Sequence, residues 1–494
     1  MATDNLKGKA AKGVFWTSIQ RFSSIGIQFV SGIILARLLT PEDYGCIGML
    51  SIFMLIAASF VDGGFGSALI QKKNPTQIDY STIFFWNLGV ALIMYVILFL
   101  CAPAISCFFK IDLLCSVLRV QGLVLIINAF SVVQINQLTK AFKFKKIAIV
   151  TVLTAMFSLL LTIWLAYKGF GVWALVSQGL FSALFPAIIY WLTNRWLPLF
   201  AFSKDSFKQL FNFGFFMFLC SIYTILCNNI QGILIGRLYN PAAVGYYSKA
   251  HSTEILASNS ISQVISQVSF PLYAELQNNK EKMAVAIKRM TLLLAFITFP
   301  LMLLLILLAK PIFLMLYSTR WLDSVPYFQI LCCAGLAICL QSVNAQPIAA
   351  IGKSKVMLRW TIFKQTMGLV FVVVGLMLFG MKGLLGGMVV KSWLIYIVNA
   401  SLVSKYIGYK LVDQMMDLMP TLLLAVISFF VSYTVGMVFN FNMYVKAISE
   451  FIIFFIIYFG NSCLFRFKGL EYFKQTIPLI VTKFKMNNAN NRSR

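Results

Sequence analysis

Acidic residues are scarce in this chain: 15 Asp and Glu among 494 residues, against 41 Lys and Arg, with charged residues only 11% of the total. Soluble domains carry about 25% charged residues. A soluble chain this long would form two to four domains, and there are too few polar residues to cover them. A single His excludes a multi-His metal site, and ten Cys are too sparse for a disulfide scaffold. No GxxxxGK[ST] loop, dinucleotide fingerprint or Cys pair at zinc spacing occurs. The longest gap between apolar stretches is about eighteen residues, which leaves no room for a separate catalytic domain.

What remains is 60% hydrophobic and 15% aromatic, the composition of an all-α polytopic membrane protein. Fourteen stretches approach the roughly 20 apolar residues that a spanning helix needs: 14–38, 44–69, 81–109, 113–138, 147–167, 170–194, 209–238, 243–272, 290–317, 324–350, 356–380, 383–404, 418–440 and 444–465. The first begins near Val14, carries Arg21 and is too long for the apolar core of a signal peptide. With the N-terminus placed inside, 28 Lys and Arg fall on one side, eight on the other and five within the stretches. That bias predicts cytoplasmic N- and C-termini. The net charge of +26 is therefore a topology signal, and nucleic acid is not needed to explain it.

The chain also repeats itself. Ile33 to Gly45 (IILARLLTPEDYG) and Ile233 to Gly245 (ILIGRLYNPAAVG) share Ile, Arg, Leu, Pro and Gly at an offset of 200. Each copy ends a helix with Arg-Leu and starts another with Pro, whose missing N–H costs nothing there. Thr17, Arg21, Ser24, Gln28 and Ser31 form a polar stripe at helical spacing, matched by Ser221, Thr224, Asn228 and Gln231. A weaker match at an offset of 208 pairs Gln121, Asn136 and Lys145 with Gln329, Asn344 and Lys353. The repeat predicts two six-helix lobes, residues 1–200 and 201–410, related by a pseudo-twofold along the membrane normal. Two extra helices over 411–465 and a basic cytoplasmic tail over 466–494 follow.

Ionisable residues inside a bilayer are costly and invite a functional reading. The five intramembrane cations are Arg21, Arg119, Lys249, Lys364 and Lys391, joined by Asp62, His251 and Glu254. Arg21, Arg119, Lys249, His251, Lys364 and Lys391 are expected to line a cationic passage between the lobes for an anionic group. Ser24, Gln28, Thr224 and Asn228 are its expected polar lining. Similar depth on neighbouring helices makes Arg21–Asp62 a candidate pair. The competing structural readings are helix–helix hydrogen bonding for the stripes and snorkelling for the long cations. Glu450 lies outside the lobes, where packing or snorkelling explains it.

With those residues in view, the chain resembles the Wzx-type polysaccharide flippases. Within the multidrug/oligosaccharidyl-lipid/polysaccharide exporter superfamily, it is most similar to the colanic and teichuronic acid export branch. The resemblance rests on Ala36–Gly45 (ARLLTPEDYG), Asp62–Gln71 (DGGFGSALIQ), Phe270–Leu276 (FPLYAEL) and Tyr317–Trp321. It implies a MATE-like pair of lobes and a non-enzymatic transporter in the bacterial inner membrane. The implied cargo is an undecaprenyl-pyrophosphate-linked oligosaccharide, carried to the outer leaflet by alternating access for surface polysaccharide synthesis. The implied partners are that lipid-linked oligosaccharide, membrane lipids, and polymerase and chain-length machinery. No cofactor is implied beyond a coupling H+ or Na+, for which Asp62 and Glu254 are the carboxylates in place. The competing functions are an ion-coupled multidrug exporter, which a cationic passage disfavours, and a membrane polymerase or ligase, which would need a larger outer loop.

Overall fold

A computed structural model describes residues 2–66, 69, 72, 75–194, 196–351, 353–438 and 442–475. Among the described residues every regular element is a helix. That is what a bilayer demands, because each backbone N–H and C=O must find a partner without water. The chain forms two compact units, residues 1–248 and 249–494.

The first unit contains α1 (Ala2–Leu38), α2 (Pro41–Asp62), α3 (Gln77–Phe109), α4 (Leu113–Gln121) and α5 (Leu123–Lys140). It continues with α6 (Phe144–Tyr167), α7 (Val172–Asn194), α8 (Lys204–Leu238) and the opening turns of α9 (Pro241–Glu275). α1 packs on α6, α2 on α8, α3 on α5, and α7 on both α5 and α6. Thr40 opens α2 with a capping box: its hydroxyl accepts from the Asp43 N–H, and the Asp43 carboxylate accepts from the Thr40 N–H at 2.9 Å. Such a box satisfies two of the orphan donors at a helix start. Thr76 and Asp79 repeat it on α3. Asn240 caps α9 through the Ala243 N–H at 2.8 Å, so both copies of the sequence repeat begin a helix with a polar cap followed by Pro. The two copies also meet: a methyl at Gly45 would strike the Pro241 carbonyl, and one at Gly245 would strike the Pro41 carbonyl.

The second unit holds the rest of α9, then α10 (Lys280–Leu307), α11 (Ala309–Leu316), a 3₁₀ turn over Thr319–Trp321 and α12 (Ser324–Ala350). α13 (Ser354–Ile407), α14 (Leu411–Val438), α15 (Met443–Leu464) and a helical segment over 468–475 complete it. α12 packs on α10 and α13, and α14 on α10 and α15. α13 is a hairpin in fact. Gly380 sits at φ 60°, ψ −141°, a conformation open essentially to glycine alone. Its two halves then close so tightly that Gly375 and Gly383 each face the other's carbonyl.

Among the described residues, eleven segments are long and apolar enough to cross a membrane, with Leu113–Lys140 and Arg359–Ile407 each counted once. Two expected boundaries are corrected. The stretch 44–69 is broken after Asp62, where Gly63 (φ 51°) and Gly64 (φ 76°) turn the chain left-handed before residues 65, 66 and 69 are again helical. The stretch 290–317 breaks at Leu308, so Lys310 lies on the separate helix α11. Of the expected basic tail, residues 476–494 lie outside the described residues.

Candidate functional site

In the second unit, the polar residues of α9 turn inward against α12, α13 and the 3₁₀ turn. Lys249 is 4% exposed, and its Nζ lies 4.1 Å from the centre of the Tyr317 ring and 5.6 Å from that of Trp321. Trp321 is fully buried by the 3₁₀ turn, which holds this aromatic wall in place. Thr253 Oγ1 donates to the Lys249 carbonyl at 2.8 Å and meets Tyr317 Oη at 3.1 Å. Two residues on from Lys249, His251 is half-buried and within electrostatic reach of Lys391.

Glu254 lies on the same run and is 1% exposed; its Oε1 has no hydrogen-bond partner. The space for that carboxylate exists because residue 335 is glycine: a Cβ there would lie 2.7 Å from Oε1. Met302 Sδ closes the other side of the same gap at 2.8 Å from that position. An unbonded carboxylate oxygen among apolar helices is an acceptor for a proton or a small cation.

The hairpin α13 supplies two more lysines. Lys391, 8% exposed, lays its stem over Gly368, where a Cβ would come 2.5 Å from its Cγ. Lys364, also 8% exposed, donates to Asn399 Oδ1 at 2.7 Å. Asn399 Nδ2 donates to the Gln341 carbonyl at 3.2 Å, and Gln341 Nε2 to the Ser392 carbonyl at 2.8 Å. Asn344 is buried beside this network with both amide atoms unbonded, and its repeat partner Asn136 is buried in the first unit with Nδ2 unbonded. Aromatic faces around a desolvated ammonium contribute about 2 kcal/mol or more, comparable with the roughly 3 kcal/mol that a Lys costs at the bilayer centre on the insertion scale.

The first unit treats its candidates differently. Arg119 does not reach a shared polar cluster: Nε donates to the Phe99 carbonyl at 3.4 Å and the guanidinium lies 4.2 Å above the Phe99 ring. Arg21 and Asp62 are not an ion pair; the described ion pairs are Lys72–Asp79, Lys288–Asp417 and Lys446–Glu450. The cause is the end of α2 at Asp62, which moves the carboxylate to a helix terminus, with Oδ1 3.3 Å from where a Gly66 Cβ would be. Arg21 and Gln28 are exposed and Ser24 is half-buried. At 100° per residue they lie opposite the exposed apolar face of Phe15, Ile19, Phe22, Phe29 and Val30. On α8, half-buried Thr224 and exposed Asn228 likewise lie opposite Leu219 and Leu226. Both stripes thus turn from the faces most suited to lipid. Glu450 is packed, 4% exposed against Gly436 and 3.8 Å from Lys446.

Tyr317, Trp321, Gly335, Gln341 and Asn399 were not anticipated as part of the site. None of the five is charged, and their contacts come from separate helices. Gln329, Asn344 and Asn136 did carry a signal in the offset of 208.

Among the described residues the chain is helical and multi-span, with buried lysines, the architecture of a polytopic membrane transporter. Residues 34–326, more than half of the chain, match the polysaccharide biosynthesis protein family, and the chain belongs to that family. The teichuronic acid biosynthesis protein TuaB of Bacillus subtilis (strain 168) is 25% identical over 353 residues, covering 70% of this chain and 72% of that protein. The lipopolysaccharide biosynthesis protein WzxC of Escherichia coli (strain K12) is 22% identical over 454 residues, covering 88% and 89%. Among solved structures, the lipid II flippase MurJ in its inward closed conformation shares the fold. Its TM-score is 0.72 at 14% identity, covering 92% of this chain and 99% of that one.

Proposed function

We propose that this protein flips a lipid-linked oligosaccharide, carried on undecaprenyl pyrophosphate, from the cytoplasmic to the outer leaflet of a bacterial inner membrane. The reading is supported by family membership together with one observation: Lys249, Lys364 and Lys391 are all less than 10% exposed within the helices of one unit. A pyrophosphate is the part of such a cargo that hydrocarbon rejects most strongly, and fixed buried cations lower that penalty. Lys249, His251, Lys364 and Lys391 are the proposed headgroup contacts. Arg21, Ser24, Gln28, Thr224 and Asn228 are its proposed polar approach, and Arg119 is a packing residue of α4 against α3.

The finer features belong to the same proposal. The repeat copies, residues 1–200 and 201–410, act as the two lobes of an alternating-access cycle, and both termini are cytoplasmic. Glu254, with its unbonded oxygen, is the proposed coupling carboxylate for H+ or Na+; Asp62, at a helix end, is the weaker one. Polymerase and chain-length proteins would receive the product on the outer face. Deleting the gene in its host tests the function. Lipid-linked repeat units should accumulate on the cytoplasmic leaflet, whereas single units stranded on the outer face would show a polymerase instead.

A further inference from the structure

Away from the lysine cluster, the basic end of α10 borders a cavity of about 350 Å³. Lys282 and Arg289, seven residues apart on one face of α10, stand over it. Leu276, just beyond the end of α9, Leu293 of α10, and Tyr472 and Gln475 of the 468–475 segment also line it. Arg289 lies 5.6 Å from the centre of the Tyr472 ring. The neighbouring Lys288 is used elsewhere, paired with Asp417 at 2.7 Å. No carboxylate lines the cavity, and among the described residues neither Lys282 nor Arg289 forms an ion pair. The sequence beyond Gln475 has no Asp or Glu to supply one.

Deeper along the same helix runs an apolar groove of about 220 Å³, lined by Phe296, Pro300 and Leu304 of α10 and by Phe455 and Phe459 of α15. Phe473 closes its near end, next in sequence to Tyr472 of the basic cavity, so one short segment borders both spaces. From Phe296 to Leu304 the groove-lining part of the helix rises ~12 Å, most of one leaflet's hydrocarbon, half of roughly 30 Å. A dibasic cavity beside such an apolar groove has the polarity of a phospholipid. We propose that α10, α15 and the 468–475 segment hold an anionic glycerophospholipid, its phosphate between Lys282 and Arg289 and one acyl chain in the groove. A long polyprenyl chain would overrun a groove of this length, so the occupant is a membrane lipid distinct from the transported cargo. The site requires only that α10 spans a bilayer; its assignment to the cytoplasmic leaflet rests on the proposed orientation.

The test is native mass spectrometry of the purified full-length protein offered equal amounts of phosphatidylglycerol and phosphatidylcholine with identical chains. Each basic group near an anionic headgroup is worth about fivefold, so wild type should retain phosphatidylglycerol by roughly thirtyfold. Lys282→Gln with Arg289→Gln should bring the two lipids close to parity, and the charge-conserving Lys282→Arg with Arg289→Lys should restore the preference. Leu301→Trp, which fills the groove, should lower retention of both lipids without changing their ratio. Equal retention by wild type, or a preference untouched by the double Gln variant, would overturn the proposal. So would a polyprenyl pyrophosphate as the species displaced from the site. The readout is binding alone, so its failure would leave the transport reading standing.

Discussion

Where the two repeat copies touch, Gly48 of α2 faces the Val244 and Ser248 side chains at the start of α9. A Cβ at Gly48 would lie 3.9 Å from Ser248 Cβ, inside the roughly 3.5–4.5 Å that a disulfide accepts. Cysteines at both positions, with Val244→Ala removing the methyl that would stand 2.9 Å from the new Cβ and the ten native Cys replaced, should therefore cross-link almost completely under mild oxidation. In the proposed alternating-access cycle the two repeat copies part at this contact, so the bond should lower lipid flipping in proteoliposomes at least about tenfold, with recovery on reduction. Glycine at 45 and 245 permits the approach. Alanine at either one meets a backbone carbonyl that has no rotamer to yield, and overpacking of that kind costs about 1–3 kcal/mol. Converted at about 1.4 kcal/mol per tenfold, the close-packed arrangement should lose roughly five- to 150-fold in population. Cross-linking of the cysteine pair should slow by the same factor in a Gly245→Ala background, and Gly45→Ala should match it because the contact is reciprocal. A pair that does not oxidise, a cross-linked protein that flips normally, or Gly245→Ala with unchanged cross-linking would each refute the reasoning.

Other outcomes follow from single sites. Gly380→Ala should destabilise the protein by roughly 1–3 kcal/mol in thermal unfolding, because its backbone region excludes a Cβ. Gly386→Ala, whose Cβ would meet nothing within 4 Å, should be neutral or stabilising by up to about 1 kcal/mol. Lys364→Met and Asn399→Leu should show a coupling of about 1 kcal/mol in a double-mutant cycle, since they share a 2.7 Å hydrogen bond in the bilayer. Strict additivity would contradict that bond. Glu254→Gln should leave the protein folded yet make flipping indifferent to an imposed proton or sodium gradient; an intact gradient response would remove Glu254 from coupling.

Much of the fold was legible because bilayer spans announce themselves by composition. The bend of α13 was visible as the gap after residue 380, and the Thr40-Pro41 and Asn240-Pro241 turns as matched caps of α2 and α9. The end of α2 at Asp62 was hidden because an apolar run continues through Phe65 and Leu69, and hydropathy cannot see the φ of Gly63 and Gly64. That one misplacement generated the expected Arg21–Asp62 pair. Buried Lys249, Lys364, Lys391 and Glu254 could be picked out because any charge in such helices stands alone against its background. Their partners could not: Trp321, Gly335 and Asn399 become neighbours only through helix packing, which sequence spacing does not encode across separate helices. Arg119 shows the converse, a conspicuous charge satisfied by the ring and carbonyl of Phe99.

The most direct measurement compares flipping of two synthetic lipids in proteoliposomes, identical but for an anionic pyrophosphate or a neutral linker. Wild type should carry the anionic lipid at least about tenfold faster, and Lys249→Gln with Lys391→Gln should erase most of that advantage while leaving the neutral lipid unaffected. Equal rates for both lipids in wild type, or an undiminished preference in the double variant, would contradict a headgroup route built on the buried lysines.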